Sequence, residues 1–119
     1  MASHNDFGKK GEKLASELLL KKGYTILRRN YRYMKAEIDI IAQKGNILAV
    51  VEVKYRRSEH LQPITASINQ KKIRLLIMAA DHYVQDNDLN VDVRFDIIMI
   101  LGQSSGYKIE HLEEAFSPY

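Results

Sequence analysis

The sequence contains no cysteine, so neither a disulfide nor a thiolate metal site is available to it. Its apolar runs, such as residues 47–51, are far shorter than the roughly 18–20 residues that a membrane-spanning helix needs. The N-terminal segment has no apolar core of the kind found in secretory signals. These absences favour a cytoplasmic protein that does not use a membrane. The histidines, which are too scattered to predict a histidine metal site, are His4, His60, His82 and His111.

Length and composition predict one folded domain over residues 1–119, with 45% hydrophobic and 28% charged residues. The net charge of +3 is unevenly distributed along the chain. Sixteen of the 18 basic residues lie in the first 80 positions, and eight of the 15 acidic residues lie in the last 39. This separation favours a basic surface for a polyanion such as nucleic acid.

Residues 36–57 predict a β-hairpin, because two runs rich in β-branched residues flank Gly45-Asn46. With a two-residue loop, the strand register places Asp39 opposite Glu52. Lys54 lies on the same face, since side chains alternate with a period of two. Two facing carboxylates are destabilising unless a proton, the lysine or a divalent cation lies between them. A slip of one residue in the loop would remove this arrangement.

The remaining pattern predicts two helices and further strands around this hairpin. The predicted elements are a helix over 6–22 that ends at Gly23, a strand over 24–33, a helix over 64–85 capped by Thr65 or Ser67, a strand over 91–101, and a short edge strand over 107–112 before a frayed tail over 113–119. Arg56, Arg57 and residues 58–63 are predicted to leave the sheet as a loop. The order α-β-β-β-α-β predicts an α/β protein with a mixed central sheet, because a helical crossover is followed by a parallel strand.

Basic side chains cluster on the first predicted strand, where arginines alternate with tyrosines, and in the second helix. Arginine binds phosphate through two parallel hydrogen bonds, and aromatic faces stack on bases. The alternative is a solvated edge whose arginine stems cover apolar surface. The candidate nucleic-acid contacts are Arg28, Arg29, Arg32, Arg56, Gln70, Lys71 and Lys72.

Asp39, followed after a hairpin by Glu52-Val53-Lys54, resembles the PD-(D/E)XK signature of restriction-endonuclease-like nucleases. The stretches EIDIIA and VEVKYR, with neighbouring segments over roughly residues 8–100, resemble the small bacterial YraN-like family. This resemblance implies the restriction-endonuclease-like α-β-β-β-α-β fold, related to Holliday-junction resolvases. The sequence departs from the family pattern at Ala36, where glycine is typical, and it lacks the usual proline before the acid.

The resemblance also implies a Mg²⁺ or Mn²⁺ site. Asp39 and Glu52 would be metal ligands, with Glu12 and Glu37 as further acids, and Lys54 would be the site lysine. Hard divalent cations prefer carboxylate oxygens, and Mg²⁺ keeps several waters, so few protein ligands suffice. The catalytic set implied for this chain is Asp39, Glu52 and Lys54.

Three functions are compatible with the sequence. The first is a metal-dependent endonuclease that cuts DNA phosphodiesters, on branched or single-stranded DNA in repair or recombination. The second is a nucleic-acid-binding module on a nuclease fold that no longer cuts. The third is a structural role in a protein-interaction domain, in which Glu52 with Lys54 and Asp96 with Arg94 form buried ion pairs. A junction substrate would suit a homodimer, because its two strands are related by twofold symmetry.

Overall fold

A computed structural model of the chain describes residues 4–57 and 68–117. Its elements are α1 (His4–Lys21), β1 (Thr25–Tyr33), β2 (Ala36–Lys44), β3 (Ile47–Arg57), α2 (Gln70–Asp86), β4 (Asp92–Gln103) and β5 (Gly106–Phe116). This order confirms the predicted α-β-β-β-α-β arrangement and the edge strand predicted over 107–112, which is longer than predicted. Within the described residues, neither helix is long and apolar enough to cross a membrane.

The five strands form one sheet in the order β1-β2-β3-β4-β5. Neighbouring strands are antiparallel except β3 and β4, which are parallel and are separated in the chain by α2. The mixed sheet and the parallel pair after the helical crossover are therefore as predicted.

The β2–β3 hairpin has the predicted two-residue loop, because Lys44 pairs with Ile47 across Gly45-Asn46. The regular pairing ends at Ile40 and Val51. Asp39 and Glu52, which are predicted to face each other, are the residues next to this last pair, and both line one cavity.

The sheet separates two apolar layers. Ile38, Ile41 and Val50 lie in the layer that contains α2, whereas Ile40 lies in the layer that contains α1. Since Ile38 and Ile40 are two residues apart, they would share a face in a regular strand. The alternation therefore breaks at Asp39, whose carboxylate Oδ2 accepts a hydrogen bond from the Val53 backbone N–H at 2.8 Å. Beyond the last regular pair, the Asp39 side chain thus accepts a hydrogen bond that a backbone carbonyl would accept in a regular strand pair.

The second helix begins later than predicted. Ile68 and Asn69 are not helical, and the helix begins at Gln70. Asn69 caps it, because its side chain accepts a hydrogen bond from the Lys72 backbone N–H at 2.8 Å. The caps predicted at Thr65 and Ser67 lie outside the described residues.

Two other boundaries are corrected by the structure. Arg56 and Arg57 belong to β3 and do not leave the sheet, while the loop predicted over 58–63 lies outside the described residues. The predicted frayed tail is wrong over 113–116, where β5 continues. Phe116 stacks on Phe95 at a centroid distance of 5.2 Å, and the neighbouring Glu113 pairs with Lys22. These contacts keep residues 113–116 in the sheet, although their acidic composition predicts a tail in solvent.

Candidate metal and nucleic-acid site

A cavity of about 440 Å³ opens between the β2–β3 hairpin and the first turns of α2. Its lining residues are Lys35, Ala36, Glu37, Asp39, Glu52, Asn69, Lys71, Lys72, Leu75 and Leu76. Three predicted site acids thus share one cavity with two of the predicted phosphate-binding lysines. Ala36, which stands where the resembled family has glycine, is not among the described residues with positive φ, so the strand accommodates alanine without strain.

Glu52 is the buried acid of this cavity, with its side chain 8% exposed. Its Oε1 accepts a hydrogen bond from Lys72 Nζ at 2.7 Å and lies 3.4 Å from Lys54 Nζ. Its Oε2 is buried and has no hydrogen-bond partner among the described residues. A buried carboxylate oxygen is costly to leave unpaired. Glu52 therefore has one oxygen available for a further positively charged group.

Asp39 is placed where its negative charge is disfavoured. Burial raises its pKa, the nearby charge of Glu52 raises it further, and the result is a pKa of about 7. The hydrogen bond from Val53 N–H opposes this shift without cancelling it. A carboxyl of this kind is easily protonated at neutral pH unless a cation joins the pair.

Two lysines neutralise Glu52 from different elements. Burial lowers the pKa of Lys54 on β3, although the charge of Glu52 opposes the shift. Burial also disfavours the charged form of Lys72 on α2, but its hydrogen bond to Glu52 and the negative charges of Glu52 and Asp39 act together against burial, so its pKa is raised. The sequence predicts for Lys72 either a phosphate contact or a solvated helix face, and not its contact with Glu52. A helix predicted to start at residue 64 does not place Lys72 in the first turn, where the structure has it.

The two other predicted metal ligands lie further out. Glu12 on α1 accepts a hydrogen bond from Asn30 Nδ2 at 3.2 Å, and its charge contributes to the raised pKa of Asp39. Glu37 is exposed and lies 3.5 Å from Arg32. No group of three Asp, Glu, His or Cys side chains suited to a metal ion occurs in residues 4–57 and 68–117.

The residues present nevertheless fit a hard divalent cation. Asp39 and Glu52 are the two protein carboxylates at the centre, and the unpaired Oε2 of Glu52 is an oxygen ligand of the preferred type. Mg²⁺ binds through one or two carboxylates when waters and phosphate complete its coordination. The cavity has room for both.

The predicted arginines of β1 lie on the strand that pairs with β2, and none of them is among the described residues that line the cavity. Arg29 pairs with Ile40 and Arg32 with Glu37, on either side of Asp39 in sequence. Arg28 lies over the Tyr31 ring, 5.3 Å from its centroid, and all three arginines are exposed.

The remaining basic candidates lie on β3 and α2. Arg56 is half-buried and follows Glu52 and Lys54 on one face of β3 by the period of two. Lys71 is exposed in the cavity wall. Gln70 is exposed at the first residue of α2 and is not one of the described lining residues.

A second buried acid, Asp96 on β4, lies in a separate network. Arg94 donates to both of its oxygens at 2.8 Å, and His111 Nε2 lies 2.8 Å from Oδ2. The Glu114 backbone N–H donates to Oδ1 at 3.0 Å. Burial opposes ionisation of Asp96, but the hydrogen bonds from His111 and Arg94 outweigh it and lower its pKa.

The outer contacts of this network determine which ring nitrogen of His111 donates to Asp96. Lys22 Nζ lies 2.6 Å from His111 Nδ1, and Arg94 also contacts the Tyr24 hydroxyl. Since an ammonium group only donates, Nδ1 is the acceptor, and the ring proton on Nε2 is donated to Asp96. The sequence predicted the pairing of Asp96 with Arg94 as a structural alternative, but not the other partners.

Among solved structures, the fold is similar to that of Archaeoglobus fulgidus Hjc, a Holliday junction resolvase from an archaeal hyperthermophile. The TM-score is 0.57 at 14% sequence identity, over 92% of this chain and 82% of that chain. This likeness establishes the fold, which is the α/β restriction-endonuclease-like fold expected from the motif.

Close relatives match over nearly their whole length. A UPF0102 protein of Flavobacterium psychrophilum is 52% identical over 116 residues, which is 98% of each chain. A UPF0102 protein of Christiangramia forsetii is 50% identical over 116 residues, again 98% of each chain. The sequence profile described as "Uncharacterised protein family UPF0102" matches residues 11–100. The chain therefore belongs to the UPF0102 family, the YraN-like family that its motifs resemble.

Proposed function

We propose that this protein is a Mg²⁺- or Mn²⁺-dependent endonuclease that cuts DNA phosphodiesters. The observation that carries the proposal is the buried acid pair at the cavity, in which Glu52 Oε2 is unpaired and the pKa of Asp39 is about 7. Both features describe a site with too little positive charge. The choice of a phosphodiester as the substrate class rests on analogy with the Holliday junction resolvase whose fold is similar.

Each residue then has a defined part in the chemistry. Asp39 and Glu52 would hold the divalent cation, which would supply Lewis-acid activation of the phosphodiester and of the attacking water. Lys54, 3.4 Å from Glu52 Oε1, offsets the negative charge that develops on the phosphate. Glu12 and Glu37 contribute at longer range, through the electrostatic field around Asp39 and at the cavity rim.

The DNA-binding surface of this proposal combines lysines that line the cavity with the exposed arginines of β1. Lys71 and Lys72 contact phosphates at the wall of α2, and the arginines of β1 contact flanking phosphates. Binding through such contacts weakens steeply as salt concentration rises. Branched or single-stranded DNA is the proposed substrate, and a homodimer would present two such sites to a junction.

A nucleic-acid-binding protein that does not cut is the second candidate. It is favoured by one observation, that no third acid joins Asp39 and Glu52 in a metal-binding group within the described parts of the chain. In this case the basic surface would still bind DNA, and the acid pair would be a remnant of the fold.

A cleavage assay separates the two candidates. The wild type, Lys54→Ala and the control Lys108→Ala would be purified in parallel and assayed on four-way-junction, flap, single-stranded and duplex DNA with Mg²⁺, Mn²⁺ or EDTA. Lys108 is a suitable control because it is 60% exposed and pairs with Glu110 on β5. We expect metal-dependent cutting by the wild type and the control, and a loss of about 10²-fold or more in Lys54→Ala.

Two results would contradict the endonuclease. Equal cutting by the wild type and Lys54→Ala would indicate a contaminating nuclease. Salt-sensitive DNA binding without cutting, alike in all three proteins, would establish the binding module in its place.

A further inference from the structure

Lys72 occupies the position closest to the acid pair. Its Nζ lies 2.7 Å from Glu52 Oε1, closer than Lys54 at 3.4 Å. Its side chain is 35% exposed, against 22% for Lys54, and it lines the cavity. Lys72 therefore reaches both the buried carboxylate and the space that a substrate would enter.

The geometry differs from that of a purely structural ion pair. Two ammonium groups share Glu52 Oε1 while Oε2 has no hydrogen-bond partner among the described residues. A pair that serves stability alone satisfies both oxygens, since an unpaired buried acceptor is destabilising. This arrangement is the one expected if the Lys72 ammonium is a counter-ion of Glu52 that another cation can replace.

We propose that Lys72 is a displaceable counter-cation, a deepening of the proposed function on which it rests. In the metal-free protein Lys72 neutralises Glu52. When a divalent cation binds beside Asp39 and Glu52, Lys72 releases the carboxylate, and its ammonium contacts a phosphate of the substrate. The side chain can make this move because lysine carries a compact charge on a flexible four-carbon stem.

This exchange couples metal binding to DNA binding. A substrate phosphate that attracts Lys72 frees Glu52 for the cation, and a cation on Glu52 frees Lys72 for the phosphate. By linkage, each ligand must tighten the binding of the other by the same factor. A lysine that only positioned Glu52 would instead support metal binding in the absence of DNA.

The test is calorimetry of Mn²⁺ binding to the wild type, Lys72→Met and Lys35→Met without DNA. Methionine keeps most of the stem and removes the charge. Lys35 is the matched control, because it lines the same cavity and is exposed. We expect Lys72→Met to bind Mn²⁺ about ten-fold more tightly, since a charge-assisted hydrogen bond no longer competes for Glu52. Lys35→Met should change the affinity by less than about two-fold.

A second measurement is DNA binding in the presence of Ca²⁺ in place of Mn²⁺. Ca²⁺ is used so that binding is measured without cleavage of the DNA. Lys72→Met should then bind junction DNA about three-fold more weakly, through the loss of one phosphate contact. Tighter metal binding together with weaker DNA binding is the combination that a structural lysine would not produce. If Lys72→Met does not fold, Lys72→Gln removes the same charge and keeps a donor to Glu52, and the same two shifts are expected.

The two proposals fail in different ways. Unchanged or weaker Mn²⁺ binding by the Lys72 variants, with normal binding by the wild type, would overturn the counter-cation and leave the metal site intact. A wild type that binds no Mn²⁺ would overturn both.

Discussion

Two buried acids on neighbouring strands have opposite environments. Asp96 pairs in register with Val51, one residue before Glu52, so the two acids are adjacent in the sheet. Glu52 lines the cavity beside α2, whereas Asp96 meets Arg94 and His111 in a network that extends to Lys22, just after α1. Both oxygens of Asp96 accept hydrogen bonds, but Oε2 of Glu52 has no partner in the described residues.

The comparison separates an acid that stabilises the fold from an acid pair whose charge the fold disfavours. The hydrogen-bond donors around Asp96 stabilise its charged form, and its pKa is therefore lowered. The pKa of Asp39, beside Glu52, is raised to about 7 because the fold resists its charge. Groups that oppose stability persist where they serve another purpose, and active sites are the usual place. The acid pair of the cavity is therefore the better candidate for chemistry.

The largest effect on stability is expected from Asp96→Asn. The substitution keeps the shape but leaves Arg94, whose side chain is 19% exposed, without its carboxylate. Removing one member of a buried ion pair should lower the free energy of unfolding by about 3 kcal/mol, measured by urea denaturation at pH 7.5.

The control for this prediction is Asp81→Asn on the exposed face of α2, where Asp81 contacts Gln85, with an expected change below about 0.5 kcal/mol. Because the pKa of Asp96 is lowered in the fold, its contribution exists above the ordinary carboxyl pKa and disappears as pH falls through the lowered value. A loss as small as that of the control would make the Asp96 network irrelevant to stability.

A smaller effect of the opposite sign is expected from Asp39→Asn. With a folded pKa of about 7, Asp39 keeps its proton in the fold where the unfolded chain has lost it, so metal-free stability falls as pH rises from about 4 to about 7. The asparagine variant should lack this pH dependence and be more stable than the wild type at pH 8 by about 2 kcal/mol. This value is roughly half of what the pKa difference gives, because Asp39 is partly exposed and solvent screens its charge. Asparagine can still accept the hydrogen bond from Val53.

Urea denaturation at several pH values in EDTA measures this difference. A variant less stable than the wild type at pH 8 would mean that Asp39 is a stabilising acid like Asp96, and the contrast between the two regions would be lost.

The hairpin site could be predicted because its determinants are local. The Gly45-Asn46 loop fixes the register, and the period of two then brings Asp39, Glu52 and Lys54 together. Contacts between distant segments could not be predicted in this way. Lys72 lies 20 residues from Glu52, and its position depends on a helix start that several polar residues could have capped.

The same limit explains the errors at the C-terminus. Glu113 and Glu114 have the composition of a solvated tail, and only the folded sheet brings them to Lys22 and Asp96, 91 and 18 residues away. His111 likewise showed no ligand spacing in the sequence, yet it contacts both Asp96 and Lys22. Local patterns thus predicted the candidate site and the order of helices and strands along the chain, while the stabilising network required the structure.

The central claim is that Glu52 holds a divalent cation. Calorimetry of Mn²⁺ binding to the wild type, Glu52→Gln and the control Glu110→Gln tests it most directly, because Glu110 is an exposed acid on β5 that pairs with Lys108. We predict that Glu52→Gln, which replaces a charged oxygen ligand by a neutral amide, weakens Mn²⁺ binding by about 100-fold or more, while Glu110→Gln binds as the wild type does. Equal affinity in all three proteins would remove Glu52 from any metal site and contradict the account.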